Sequence, residues 1–170
     1  MIETTERATL LQRLRESEEK FVTAASVSED RARTRPANGG WSILEVVEHI
    51  TLSDREMLRC YLEADLNEAG ITPDAEATIR AFGSDVSAKF QAPPPVLPAG
   101  RYGSLAEGLK AYREARNELV DFISTRSENL RGRLLRRSLT GMDGHQIFLF
   151  IAAHSDRHTL QVEGIKREIG

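Results

Sequence analysis

The chain has 170 residues, 40% of them apolar and 29% charged, with a formal charge of −3. That composition suits one ordinary globular domain spanning residues 1–170, and the small negative charge gives no general pull toward nucleic acid or an anionic membrane. No run of about 18 apolar residues is present, and the opening MIETTERATL is too polar and acidic for a secretory signal. A lone Cys60 cannot close an internal disulfide, so a cytoplasmic location is expected.

In chain order, four segments carry helical periodicity. The first runs from Thr4 to Ser28, with Leu10, Leu11, Leu14, Phe21, Val22 and Ala25 spaced in threes and fours. The loop EDRARTRPANGG ends it. In the second, Ser42 and Glu45 form an S-x-x-E capping box, and Ile43, Val46, Val47, Ile50, Met57, Leu58 and Tyr61 make one apolar face. Cys60, between Arg59 and Tyr61, reads as a small packed side chain rather than a reactive thiol. The third helix begins at Ser104 with a box closed by Glu107, and carries Leu105, Leu109, Tyr112, Leu119, Phe122 and Ile123. The fourth starts after Asp143, with Gln146 as its capping partner, and runs almost to the C-terminus. No stretch shows sustained strand alternation. The expected class is all-α: a four-helix bundle.

The first and second helices, and the third and fourth, are joined by loops of roughly a dozen residues, compatible with antiparallel neighbours. Between the second and third lie about thirty-five residues, a length that suits a crossover and allows those two helices to run parallel. Within this connector (68–103), Pro73 and the following DAEATIRAF predict a short helix with proline in its first turn. APPPVLPAG is expected to be extended, because proline keeps its predecessor out of helical angles. Such a connector either covers a site or is plain spacer.

On a helical wheel, Ile151, His154, His158, Gln161, Val162 and Ile165 fall within about 60° of the direction of Ile147. Two histidines therefore occupy the centre of the buried stripe one turn apart, while Asp156 and Glu163 point away to solvent. A single core histidine is ordinarily just hydrogen-bonded. Two adjacent ones without partners would cost roughly 1–3 kcal/mol each, and a metal ion satisfies both. His49, at the edge of the second helix's stripe, can turn its ring to the same interior. Three histidines from two helices leave one face of an ion open, as catalytic sites require. His145, near the start of the fourth helix, reads as a surface or capping residue instead.

Trp41-Ser42 opening a helix, His49 a little over two turns on, and IAAHSDRHTLQ near the end resemble the DinB-like (YfiT-type) superfamily. The likeness runs through nearly all 170 residues by order and spacing; its specific part is W-S-x6-H and H-x3-H-x2-Q. It implies a four-helix bundle with a long crossover and a divalent metal, nickel or zinc, held by His49, His154 and His158. Some relatives use a low-molecular-weight thiol as cosubstrate, as transferases or as an isomerase. Where relatives commonly carry a His-Pro turn before the last helix, this chain has SLTGMDGHQ.

Three further residues belong to the candidate site. Gln161 could orient the His158 ring or pack the core; Glu45 could act as a base on bound water, although its cap already explains it; Trp41 is a candidate substrate contact. RGRLLRR (131–137) could attract an anion, or be a solvated basic turn. Phe148, Leu149 and Leu160 make part of the fourth helix apolar nearly all round, which points to a homodimer contact. The leading functional expectation is a metal-dependent enzyme acting on a small molecule, of the thiol S-transferase or isomerase kind that the resemblance implies. A metal-dependent hydrolase and a non-catalytic metal- or ligand-binding module are the alternatives. Because histidine must be neutral to ligate, metal is expected to leave as the pH falls through the region near 6.

Overall fold

Local signals set the helix ends in the computed structural model, which describes residues 2–66, 73–87, 90–135 and 141–170. The long helices are α1 (Ile2–Ala25), α3 (Ile43–Leu62), α5 (Leu105–Thr125) and α6 (Gly144–Glu168), with short α2 (Glu29–Arg33) and α4 (Pro73–Phe82) between them. At the start of α3, Ser42 Oγ accepts from Glu45 N–H at 3.3 Å and the Glu45 carboxylate accepts from Ser42 N–H at 2.8 Å. Asp143 and Gln146 form the same reciprocal box before α6. Each such cap is worth about 1 kcal/mol. The box before α5 is only half made: Ser104 accepts from Glu107 N–H, but the Glu107 carboxylate takes Gly103 N–H instead of closing on Ser104.

Three expectations need correction. The first helix stops at Ala25, and EDRAR of the following loop is itself helical, its Glu29 accepting from Leu105 N–H and so tying this turn to α5. The proline cluster contains a 3-10 turn at Pro94–Val96. A small antiparallel sheet, ordered β1 (Asp65–Leu66), β2 (Arg133–Leu135), β3 (Met142–Asp143), links the connector to the segment before α6. Strands of two or three residues are too short to show alternation in sequence.

Two apolar clusters stack along the bundle. One joins Leu10 and Leu14 of α1 to Met57 and Tyr61 of α3, Leu119 and Ile123 of α5, and Ile147 to Ile151 of α6. The other joins Phe21 and Ala25 of α1 to Ile43–Ile50 of α3, Leu105–Tyr112 of α5, and Val162 and Ile165 of α6. It follows that α1 and α6 run parallel to each other, as do α3 and α5, and that the two pairs are antiparallel. The long connector thus joins parallel helices. The shorter connections, by contrast, do not join antiparallel neighbours: α1 packs on α5 and α6, α3 packs on α5 and α6, and the pairs α1/α3 and α5/α6 lie across the diagonals. Loop length permits adjacency without enforcing it; the apolar faces decide which helices meet.

Phe148 is fully buried and Leu149 is nearly so, both within this chain's own core, which leaves Leu160 as the exposed member of the supposed subunit face. The apolar girth of α6 reflects its neighbours α1, α3 and α4. Among the described residues no helix is long and apolar enough to cross a membrane.

Gly144 opens α6 in close contact with two elements. A Cβ there would lie 2.2 Å from Tyr61 Cε2 and 2.3 Å from the Leu130 carbonyl oxygen. Both obstacles are rigid, so Gly144→Ala should destabilise the fold by about 3 kcal/mol or more, read as a lower urea midpoint with an unchanged slope.

Candidate metal centre

α6 places His154 and His158 one turn apart, and α3, antiparallel to it, brings His49 against them. The His49 ring centroid lies 5.3 Å from that of His154 and 4.8 Å from that of His158, and the latter two are 4.4 Å apart. All three residues are buried, and one ring nitrogen from each falls within 4.8 Å of the others. His154 Nε2 and His158 Nε2 approach to 3.0 Å. Two nitrogens sharing a tetrahedral ion at about 2.0–2.1 Å would sit about 3.3–3.4 Å apart, so this pair is already close to a shared-ligand spacing.

The outer ring nitrogens are held from behind. His49 Nδ1 lies 2.8 Å from the Val96 carbonyl oxygen, and His158 Nδ1 lies 2.7 Å from Gln161 Oε1. Both oxygens accept, so each ring carries its proton on Nδ1 and turns an Nε2 lone pair inward. Gln161 thus meets the His158 ring through a hydrogen bond. His154 Nδ1 is buried with no partner among the described residues. Its ring instead lies alongside a stacked aromatic pair, 5.8 Å from Phe150 and 6.4 Å from Phe82, both nearly parallel to it and 5.1 Å from each other. Trp41 covers His49 at a centroid distance of 4.9 Å, and so stands beside the cluster.

Burial pushes all three imidazoles below their ordinary value near 6.5: His49 is lowered, His154 falls well below, and His158 drops to about 3. The rings are thus neutral, the form a metal ion needs. Lower proton affinity also moves the expected acid loss of metal to a pH below 6. For the metal-free chain the sign is definite. These groups bind protons more readily when unfolded, so their contribution to stability is complete above about 6.5 and is lost as the pH falls toward 3. Chelator-treated protein should lose several kcal/mol between pH 7 and pH 4, measured by denaturant titration.

Other candidates lie elsewhere. Glu45 does not face the rings: its carboxylate binds Ser42 N–H and the Arg35 guanidinium. His145 is buried rather than at the surface, in the first turn of α6 beside Glu6, Leu130 and Arg131, and lies outside the histidine cluster. Asp156 pairs with Arg13 of α1 at 2.7 Å, and Glu163 with Lys166 at 2.8 Å. Of the basic run, Arg131 is engaged by Glu6, Glu76 and Asp143, and Arg133 by Glu128 and the Tyr61 face. These are structural pairs. Arg136 and Arg137 lie outside the described residues. Cys60 is half-buried, its Sγ 3.8 Å from Glu56 Oε1. Val96, Phe82 and Phe150 also border the cluster, and nothing in their sequence positions signals it. Phe82 closes the amphipathic α4, which was visible, but where that face would dock was not.

Fold and site together define a four-helix bundle of crossed connectivity with three histidines converging in its interior. A match to the DinB superfamily model over residues 6–162 places this chain in that family. Among solved structures, that of YfiT from Bacillus subtilis, described as a probable metal-dependent hydrolase with an unusual four-helix bundle topology, is similar in fold. The two agree with a TM-score of 0.64 over 96% of this chain and 87% of that one, at 17% identity. No curated protein matches this chain.

Proposed function

We propose that this chain is a divalent-metal-dependent enzyme in which His49, His154 and His158 hold nickel or zinc and a small-molecule thiol serves as cosubstrate for S-transfer or isomerisation. The observation that carries the reading is the donor set: three neutral imidazoles meet at one point, and among the described residues no carboxylate joins them. A divalent cation bound there supplies a Lewis acid that lowers the pKa of a coordinating thiol or water.

The absent carboxylate bears on which of those is used. Glu45 is held by its cap and by Arg35, Glu48 is turned toward residues 99–101, and Asp156 is paired with Arg13. None of these three carboxylates stands beside the cluster as a base. A nucleophile that must lose its proton unaided is better chosen as a thiol, with a pKa of about 8.5, than as water at about 15.7. Trp41, Phe82 and Phe150 surround the rings with aromatic surface, suited to an apolar electrophile.

Hydrolysis of an ester or amide is the second reading, favoured by the description of the YfiT structure. One experiment separates them. Metal-loaded protein is incubated with a low-molecular-weight thiol and an electrophile, and in parallel with an activated ester and no thiol. Metal-dependent consumption of thiol supports transfer, ester cleavage without thiol supports hydrolysis, and silence in both with metal retained leaves a binding module.

A further inference from the structure

The crossover connector meets the histidine cluster through main-chain atoms, and a single buried carboxylate holds it there. Glu48 precedes His49 on α3 and is 2% exposed. Its Oε1 accepts from Ala99 N–H at 2.7 Å and from the Arg101 guanidinium at 2.8 Å; its Oε2 accepts from Gly100 N–H at 2.9 Å and Arg101 N–H at 3.1 Å. Three successive N–H groups converge on one anion because Gly100 adopts φ +75°, which turns the backbone into a nest. A few residues earlier on the same stretch, the Val96 carbonyl meets His49 Nδ1 at 2.8 Å.

Consecutive helical residues point about 100° apart. Glu48 therefore addresses the connector while His49 addresses the cluster, and the connector returns to touch His49 from outside. A carbonyl can only accept. Its position obliges His49 to carry its proton on Nδ1, and only that tautomer offers an Nε2 lone pair to an ion.

We infer that Glu48 is a positioning residue of the metal centre: by anchoring the 99–101 turn it sets the Val96 carbonyl against His49 and selects the ligating tautomer. This rests on the metal-centre reading above and adds to it the part played by the connector. Glutamine at position 48 would keep one acceptor but lose the charge and place an amide donor among four donors.

The test has two readouts. Long-range proton–nitrogen correlation spectra of metal-free, nitrogen-15-labelled protein report which His49 nitrogen is protonated. Calorimetric titration with zinc and with nickel reports affinity. In the parent chain His49 should be the Nδ1–H tautomer. In Glu48→Gln it should become a mixture, with affinity lowered about 10–100-fold and helix content by circular dichroism unchanged. If Glu48→Gln does not fold, Gly100→Ala strains the same turn from the connector side, where a Cβ meets nothing within 4 Å, and should give the same change in milder form. Parental affinity with an unchanged Nδ1–H tautomer in the folded variants would overturn the inference alone, as would a parent whose His49 proton sits on Nε2. A parent chain that binds neither metal would instead overturn the metal reading, and the metal half of this inference with it.

Discussion

His158→Ala should be recovered with almost no bound metal, where the parent chain carries about one divalent ion, and its affinity should fall at least about 100-fold. Residues that merely orient a ligand are worth about 10–100-fold, so loss of a ligand sets a larger effect. The geometry explains why the remaining rings cannot compensate. His158 Nε2 is the partner of His154 Nε2 at 3.0 Å, and its ring is also close to that of His49. Without it the surviving pair is the most widely separated of the three, with centroids 5.3 Å apart. Stability should move the other way. Burial has pushed His158 down to about 3, so in the metal-free state the ring weakens the fold in acid, and the metal-free variant should resist acid better than the metal-free parent. Elemental analysis and acid denaturation of both proteins check this; a variant that retains full metal content would remove His158 from the ligand set.

The second large effect concerns Arg116. Midway along the bundle each of the four long helices contributes to one buried polar layer. Arg116 of α5 and Asp54 of α3, both fully buried, lie with Nε and Oδ2 3.0 Å apart. The guanidinium also reaches Tyr112 at 3.0 Å, Ser155 of α6, and Ser17 of α1 at 3.4 Å. Burial raises the Asp54 carboxyl to about 6, with Arg116 opposing the rise. Arg116→Met would leave that carboxylate without its partner and should cost about 3–5 kcal/mol at pH 7. Because Arg116 opposes the rise, its removal lifts the Asp54 carboxyl further, so the folded variant takes up its proton at a higher pH than the parent and the deficit should shrink as the pH falls toward 6 and level off below it. Adding Asp54→Leu should restore most of the stability, since an apolar pair has no ion to desolvate. Urea titrations at pH 7 and pH 5 measure all three; an Arg116→Met variant within about 1 kcal/mol of the parent would show that the ion pair is dispensable.

Of this layer, the two charged residues occupy positions that carry a signal in sequence. Arg116 lies four residues after Tyr112 and three before Leu119, and Asp54 four after Ile50 and three before Met57. A charged residue on an apolar stripe in each of two helices signals a buried pair. Ser17 and Ser155 carry no such signal, since serine is common on either face. Glu48 was illegible for another reason. Its neighbour His49 stood out as a ligand type, whereas one more glutamate on a charged helix draws no notice until its four donors are in place.

The number, type and starting points of the four long helices are local properties, written in capping residues and in repeats of three and four, and the chain alone determined them. So too did the placement of His154 and His158 on one face, because a single helix fixes their separation. The crossed arrangement, with α1 and α6 parallel and consecutive helices on diagonals, depends on which apolar faces fit together. Only the assembled bundle decided it. The approach of His49 from a second helix, the Val96 carbonyl behind it, and the burial that keeps all three rings neutral arise from packing between segments far apart in sequence, where spacing along the chain carries no distance information.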